Sequence, residues 1–199
     1  MNDIYVIDLE TTGLTARDHI VEVAVCRAEP NTGGIELMYN SLVKYAKDDI
    51  IRWSYPNSWL AKNSDIRTED ILTEGRPIIT VKRELISLLS DKVVTSYNTD
   101  FDFMRFLDRE PFNMWYYYRH KAPCIMRMAT NYLKKGHKKF NFKMANLEEA
   151  TNYIVFGLPI LKINQQTLDT IRDYGFHRAS YDAFMASKIM LELINRGRY

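Results

Sequence analysis

The chain has few of the residues that characterise secreted disulfide proteins and zinc proteins. Only two of its 199 residues are cysteine, Cys26 and Cys124, and neither belongs to a CxxC pair or to a cysteine–histidine spacing. It has no run of about 18 apolar residues, and it does not open with a charged segment followed by an apolar one. Disulfide frameworks, zinc sites, secretion and membrane spanning are therefore not expected, and a reducing compartment, the cytoplasm, is predicted.

The chain also lacks a dominant sign of charge. It has 27 lysines and arginines against 25 aspartates and glutamates, a formal net charge of +2. A nucleic-acid partner would therefore have to be held by a local basic patch or by bound metal. Glycine and proline are few, with eight and six residues, and no low-complexity linker or internal repeat is present. A single domain over residues 1–199 is predicted.

Hydrophobic patterning predicts an α/β domain that opens with three strands. Residues 4–9 form a short apolar run rich in β-branched side chains, and residues 19–27 alternate apolar with polar side chains. Residues 31–34 (NTGG) form a hairpin turn, after which residues 35–45 return as the third strand. One further strand and five helices are predicted downstream: strand 92–97 and helices 81–89, 101–109, 124–133, 144–152 and 180–195.

A first acidic motif lies on the opening strand. Asp8 and Glu10 stand two residues apart, so the period of a strand places both carboxylates on one face. Two carboxylates that close repel each other unless a cation binds both. The alternative interpretation is a polar strand edge that faces solvent.

A second acidic motif follows the predicted strand 92–97, where it passes into a helix. Asp100 suits the N-cap position of that helix, whereas Asp102 falls in its first turn among aromatic residues. Sites in α/β proteins gather at such strand ends. The alternative is that both aspartates are ordinary first-turn acids that interact favourably with the helix dipole.

The third motif is His177-Arg178-Ala179-Ser180-Tyr181-Asp182-Ala183, just before and within the last helix. Ser180 is able to cap this helix, which leaves Asp182 in its first turn. His177 lies before the helix, on a loop that could reach over a site. A lone histidine in such a place is alternatively a surface or structural residue.

The three motifs together supply the groups that phosphodiester hydrolysis requires. Two divalent cations about 3.5–4 Å apart activate the attacking water and stabilise the leaving 3′ oxygen. Magnesium prefers oxygen ligands, and Asp8, Glu10, Asp102 and Asp182 provide four carboxylates. A histidine with a near-neutral pKa, here His177, is suited to take the proton of the water.

The same motifs resemble those of the DEDDh exonucleases, the DnaQ-like family of proofreading subunits and related 3′-5′ DNA and RNA exonucleases. Residues 6–14 (VIDLETTGL) match the first family motif, and residues 98–107 match the second, in which Asp102 and not Asp100 is the metal ligand. Residues 177–183 match HxAxxDA, which is the third. Weaker similarity at residues 66–72 and 124–129 extends the resemblance over most of residues 3–195.

The resemblance implies an RNase H-like fold, a mixed five-stranded sheet with three antiparallel strands first, flanked by helices. It implies a 3′-5′ exonuclease that uses two Mg²⁺ or Mn²⁺ ions and releases nucleoside monophosphates from DNA or RNA, with His177 as general base. Thr11 would contact the terminal sugar and Leu14 would wedge against the last base. The residues that the resemblance assigns to substrate binding are Thr11, Thr12, Leu14, Asn98 and Phe101.

Partner and substrate predictions follow from the same resemblance. Single-stranded nucleic acid or the 3′ end of a duplex is the expected partner, and a DNA polymerase partner and a homodimer stay open. A proofreading subunit is one alternative function. A non-catalytic nucleic-acid-binding module is another, but all four carboxylates and the histidine are present. Outside the motifs, the aromatic residues of 114–121 are interpreted mainly as core, and the lysines of 134–139 as phosphate contacts.

Overall fold

The three predicted opening strands form an antiparallel meander. The computed structural model describes residues 1–46, 51–52, 55–136, 138–157 and 178–197. Strand β1 spans Ile4–Thr11, β2 spans Ile20–Glu29 and β3 spans Gly34–Lys44, each antiparallel to the one before it. The three opening strands and the hairpin turn at residues 31–34 were therefore predicted correctly.

Three shorter strands complete a mixed sheet. Strand β4 is Arg76–Pro77, β5 is Val93–Ser96 and β6 is His120–Lys121. The order is β4-β3-β2-β1-β5-β6, with β5 parallel to β1, β6 parallel to β5 and β4 parallel to β3. The described part of the chain thus has six strands where five were expected. Neither edge strand, β4 or β6, was located from the sequence, because two residues are too few to leave an alternating pattern.

Helices cover both faces of the sheet. The α-helices are α1 Trp59–Asn63, α2 Thr68–Thr73, α3 Ile78–Leu89, α4 Ile125–Lys134, α5 Leu147–Ala150 and α6 Ala179–Asn195. Two predicted helices contain π-helical turns, Asp100–Leu107 and Thr151–Val155. Among the described residues, no helix combines the length and apolarity that crossing a membrane requires.

The two faces of β1 serve different layers of the core. Ile4 and Val6 pack in the cluster that contains helices α4 and α6, whereas Ile7 and Leu9 pack in the cluster that contains α3 and the π-helix Asp100–Leu107. Because side chains alternate along a strand, even-numbered residues of β1 face the α6 layer. Asp8 and Glu10 are even-numbered, so the fold directs both carboxylates toward α6.

Two predicted helix caps are wrong. Asp100 is the first residue of its π-helix and not its cap, and its carboxylate instead pairs with Arg127 at 2.7 Å. Helix α6 begins at Ala179 and its N-cap residue is Arg178, without a side-chain cap. At α6 the Glu22 carboxylate accepts from the backbone N–H of Ala179 in place of a local cap, and a local pattern does not reveal this long-range contact.

The aromatic segment and the lysine cluster have mixed environments. Met114 and Tyr118 are buried in the core, while Trp115 and Tyr116 are exposed with ring centroids 3.6 Å apart. Lys139 lies 3.3 Å from Glu149 and is partly neutralised by it. The aromatic segment is therefore only partly core.

Candidate active site

Three carboxylates meet where β1 ends. One oxygen from each of Asp8, Glu10 and Asp182 lies within 4.8 Å of the others. Asp182 belongs to the first turn of α6, which packs against β2 through small side chains, Ala179 and Ala183 against Ala24 and Cys26. Small residues let a helix approach a sheet closely. The sequence therefore brings the acidic turn of α6 onto the face of β1 that carries the other two carboxylates.

Asp102 lies close enough for its charge to act on Asp8 and Glu10, although it is not one of the three carboxylates whose oxygens lie within 4.8 Å of one another. It lies in the first turn of the π-helix that follows β5, and only 3% of its surface is exposed. Burial raises the pKa of Asp102 to about 7. Its charge in turn raises the pKa of Asp8 and of Glu10. Asp8, Glu10, Asp102 and Asp182 are called the carboxylate cluster below.

The cluster concentrates negative charge in a poorly hydrated place. Burial is the largest cause that raises the pKa of Asp8 well above its usual value, followed by the charges of Asp182 and Asp102. The pKa of Glu10 is also raised well above its usual value, by burial first and then by the charges of Asp182 and Glu22. Hard divalent cations with oxygen ligands relieve such repulsion. The donor set therefore fits magnesium or manganese.

A buried ion pair beside the cluster was not predicted. Glu22 is fully buried on β2, directly opposite Glu10, and its carboxylate accepts hydrogen bonds from the Arg178 guanidinium at 2.8 and 3.2 Å. It also accepts one from the backbone N–H of Ala179 at 2.9 Å. Glu22 thus holds the start of α6 on the sheet. A glutamate flanked by Val21 and Val23 within a strand is the only signal that the sequence offers for this role.

His177 lies outside the described residues. Its neighbour Arg178 is described and is held by Glu22. The role of His177 stays a prediction from the sequence.

A groove of about 490 Å³ opens beside Glu10. Four of the five predicted substrate residues line it: Thr11, Thr12, Leu14 and Phe101. Asn98 does not line the groove; its carbonyl accepts hydrogen bonds from the backbones of Phe101 and Asp102 and so shapes the turn that carries them. Trp59 and Leu60 of α1 form a further wall that the sequence motifs did not indicate.

The loop after β1 is held together by its own side chains. The Thr11 hydroxyl donates to the Gly13 carbonyl at 2.7 Å, and the Thr12 hydroxyl lies 3.3 Å from the Asp18 carboxylate. A Cβ at position 13 would lie 2.5 Å from the Asp18 carboxylate, so a larger residue there would have to displace this carboxylate. Both threonine hydroxyls therefore stabilise the loop, which presents Leu14 with 73% of its surface exposed.

The raised pKa values predict how stability depends on pH when no metal is bound. A carboxyl with a higher pKa in the folded than in the unfolded chain binds more protons when folded. The free energy of unfolding therefore falls as the pH rises from about 4, the usual pKa of an aspartate, to about 7, the pKa of Asp102 in the folded chain. In EDTA, we expect the melting temperature to be several degrees lower at pH 8 than at pH 5.5. A loss of 1 kcal/mol in the free energy of unfolding lowers the melting temperature by about 2–4 °C.

Calorimetry with and without Mg²⁺ tests this prediction. Magnesium should raise the melting temperature more at pH 8 than at pH 5.5, because the cation stabilises the charged carboxylates. Asp102→Asn removes one titrating group at nearly constant shape, so its metal-free melting temperature should depend less on pH. A wild-type melting temperature that rises with pH in EDTA would contradict the assigned shifts.

The sequence model of the exonuclease family, RNase_T, matches residues 5–190. No curated protein sequence matches the chain significantly.

Solved structures share the fold at low identity. Cell-death related nuclease 4 has a TM-score of 0.64 and 16% identity over 99% of this chain and 65% of its own. E. coli exonuclease I in complex with a dT13 oligonucleotide has a TM-score of 0.66 and 16% identity, over 98% of this chain and 42% of its own. A full-length 3′-exonuclease has a TM-score of 0.62 and 15% identity, over 98% and 61%. The chain spans less than two thirds of each of these proteins, and the similarity confirms the predicted RNase H-like architecture.

Proposed function

The chain belongs to the exonuclease family, and we propose that it is a metal-dependent 3′-5′ exonuclease that releases nucleoside monophosphates from DNA or RNA. The observation that carries this proposal is the meeting of the Asp8, Glu10 and Asp182 carboxylates at the edge of a groove of about 490 Å³. A groove in the range of about 300–1,000 Å³ suits a small ligand such as one nucleotide. If the 3′ end of a nucleic acid occupies this groove, the nucleic acid is cleaved one nucleotide at a time.

The carboxylate cluster would hold two Mg²⁺ or Mn²⁺ ions. When bound, such ions lower the pKa of the attacking water and stabilise the negative charge of the leaving 3′ oxygen. Glu10 belongs to both the cluster and the groove lining, so the phosphate of a nucleotide in the groove would lie next to the carboxylates. His177, which precedes the anchored Arg178, would accept the proton of the water.

The groove offers mainly apolar walls to a base. Leu14, Trp59 and Phe101 come from three different segments, and Leu14 and Trp59 are 73% and 61% exposed. Such side chains hold any of the four bases by stacking and apolar contact, without reading the sequence. Thr11 and Thr12 supply backbone groups beside the sugar. The proposed subsite therefore binds a terminal nucleotide irrespective of its base.

The experiment that tests this function follows the products of a 5′-labelled single-stranded oligonucleotide. With magnesium or manganese, we expect a ladder of shortening labelled strands and release of nucleoside monophosphates. EDTA should abolish the reaction, because the carboxylates alone do not activate water.

A closed single-stranded circle of the same sequence is the matched control, since it has no 3′ end. It should survive the incubation that degrades the linear strand. Cutting of the circle at a comparable rate would identify an endonuclease, and undiminished hydrolysis in EDTA would exclude the metal mechanism.

A further inference from the structure

Positive charge is concentrated in one short segment of the chain. Residues 134–143 contain five lysines and no aspartate or glutamate, although the whole chain has a net charge of only +2. All five lysine side chains are exposed, and so is the ring of Phe142, with 94% of its surface exposed. This set is called the lysine surface below: Lys134, Lys135, Lys138, Lys139, Lys143 and Phe142. None of its members lines the groove.

Two lysines of this surface share one glutamate. The Glu149 carboxylate accepts hydrogen bonds from Lys139 at 3.3 Å and from Lys143 at 2.6 Å. Lys139 also lies over the buried ring of Phe140, 4.6 Å from its centroid. Among the described residues, no carboxylate lies within 4.0 Å of the other three lysines of the surface. The lysine surface therefore keeps a net positive charge, which suits a partner with phosphate groups.

The ring of Phe142 stands exposed among these charges. Phe140, two residues earlier, is buried in the core cluster of α4 and α6 and serves packing. An aromatic ring in water beside lysines instead offers a face on which a base stacks while its phosphates contact the lysines. Such stacking requires a base that is not already stacked inside a duplex. The combination therefore favours a single strand of DNA or RNA.

Helix α4 connects the lysine surface to the groove. Arg127, Asn131 and Lys134 are spaced four and three residues apart, so they lie on one side of α4, and all three are exposed. Arg127 pairs with Asp100 at 2.7 Å, and the next residue, Phe101, lines the groove. The ten residues of α4 span about 15 Å at about 1.5 Å per residue. An exposed polar side of the helix thus leads from the groove to the lysine surface.

The length of α4 sets the length of strand that reaches both places. Successive nucleotides of a stacked strand are about 3.4 Å apart, so about 15 Å corresponds to about four or five nucleotides. A dinucleotide is too short in any conformation. Its single phosphodiester lies at the carboxylate cluster when it is cut, which leaves no phosphate for the lysines.

We propose that the lysine surface binds the single-stranded part of the substrate upstream of the 3′ end that occupies the groove. This inference rests on the proposed exonuclease function and adds a second binding region for the strand that is cut. Phe142 stacks on one base, and Lys134, Lys135 and Lys138 contact phosphates. These contacts do not depend on the identity of the base. They keep a long strand bound between successive cuts and release it once it is too short to reach them.

Phe142→Ala tests the stacking contact. KM and kcat are measured with magnesium on a dinucleotide without a 5′ phosphate and on a 5′-labelled single strand of about 16 nucleotides, the upper end of known single-strand site sizes. The wild-type KM should be lower on the long strand. Phe142→Ala should raise the KM of the long strand at least about fivefold, the effect of losing one stacked base, and leave the KM of the dinucleotide unchanged.

The combined variant Lys134→Gln, Lys135→Gln and Lys138→Gln tests the phosphate contacts. On the long strand, the slope of log KM against log salt should fall by about 0.7 for each phosphate contact that is lost. Wild-type digestion should slow when about four or five nucleotides remain, so that labelled products of this length accumulate. The combined variant should lose this accumulation, because it binds long and short strands alike.

Two variants on the other face of the sheet are matched controls. Tyr116→Ala removes an aromatic ring that is 69% exposed, and Arg83→Gln removes an exposed positive charge of α3. Helix α3 and Met114, which precedes Tyr116, pack in the core cluster opposite to that of α4. Both variants should leave both KM values unchanged.

The outcomes separate this inference from the proposed function. A wild-type enzyme inactive on both substrates with magnesium or manganese would refute the proposed exonuclease. Activity with the same KM on the dinucleotide and the long strand would overturn only the inference. A Phe142→Ala variant that changes both KM values equally would also overturn it, because the ring would then act on the groove. An unchanged KM on the long strand would assign the surface to another partner, such as an acidic protein.

Discussion

Asp102→Asn is expected to lower kcat on a single-stranded oligonucleotide by at least about 10³-fold. Metal-based stabilisation of the transition state contributes several kcal/mol, and each 1.36 kcal/mol corresponds to a factor of ten in rate. Asparagine keeps the shape of the buried side chain and removes the charge that would hold a cation. Folding should survive, because burial already favours the neutral form of Asp102 and raises its pKa to about 7.

Asp100→Asn is the matched control for this prediction. Asp100 stands two residues earlier, is exposed, and makes an ion pair with Arg127 at 2.7 Å. Loss of an exposed ion pair costs about 0–1 kcal/mol of stability, so turnover should stay near the wild-type value. Steady-state kinetics with a magnesium titration, together with thermal denaturation, distinguishes the two positions. An inactive Asp100→Asn with an active Asp102→Asn would show that the second motif had been read in the wrong register.

His177→Ala is expected to reduce kcat by about 10²–10⁴-fold, the usual contribution of a positioned acid–base group. A general base must be neutral to accept a proton, so wild-type activity should fall as pH drops through the pKa of His177. Calorimetric magnesium binding should be retained in the variant, since the carboxylates are unchanged. Added imidazole should restore part of the rate by supplying a free base.

His120→Ala is a suitable control, because His120 is an exposed residue of the short edge strand β6. It should leave the rate and the pH profile unchanged. A His177→Ala variant with near wild-type turnover, or one that fails to fold, would assign His177 a structural role instead.

The sequence was most informative where the relevant spacing is short. The apolar β-branched run in residues 4–9 and the alternation in residues 19–27 predicted β1 and β2, because both patterns are local properties of strands. The two-residue spacing of Asp8 and Glu10 likewise placed both carboxylates on one face, and the resemblance of the second motif singled out Asp102 over Asp100. The buried position of Asp102 and the exposed one of Asp100 agree with that choice.

The sequence was least informative where a contact joins distant segments. Arg178 and Glu22 are 156 residues apart, so no local pattern announces the ion pair that anchors the start of α6. Asp100 was expected to cap a helix because aspartate is common at the N-cap position, but its carboxylate pairs with Arg127 on α4 instead. Trp59 joins the groove only because α1 folds over the loop that carries Leu14.

The sequence by itself determined which chemical groups this protein has and the order in which they occur: four acids and a histidine in three motifs within an α/β pattern. It could do so because side-chain chemistry and strand period are local properties. Only the tertiary structure decided that Asp182 reaches Asp8 and Glu10, that Glu22 holds Arg178, and that Trp59 lines the groove together with Leu14. The reason is that packing of α6 and of the π-helix against β1 and β5 sets these distances, and packing depends on the whole chain at once.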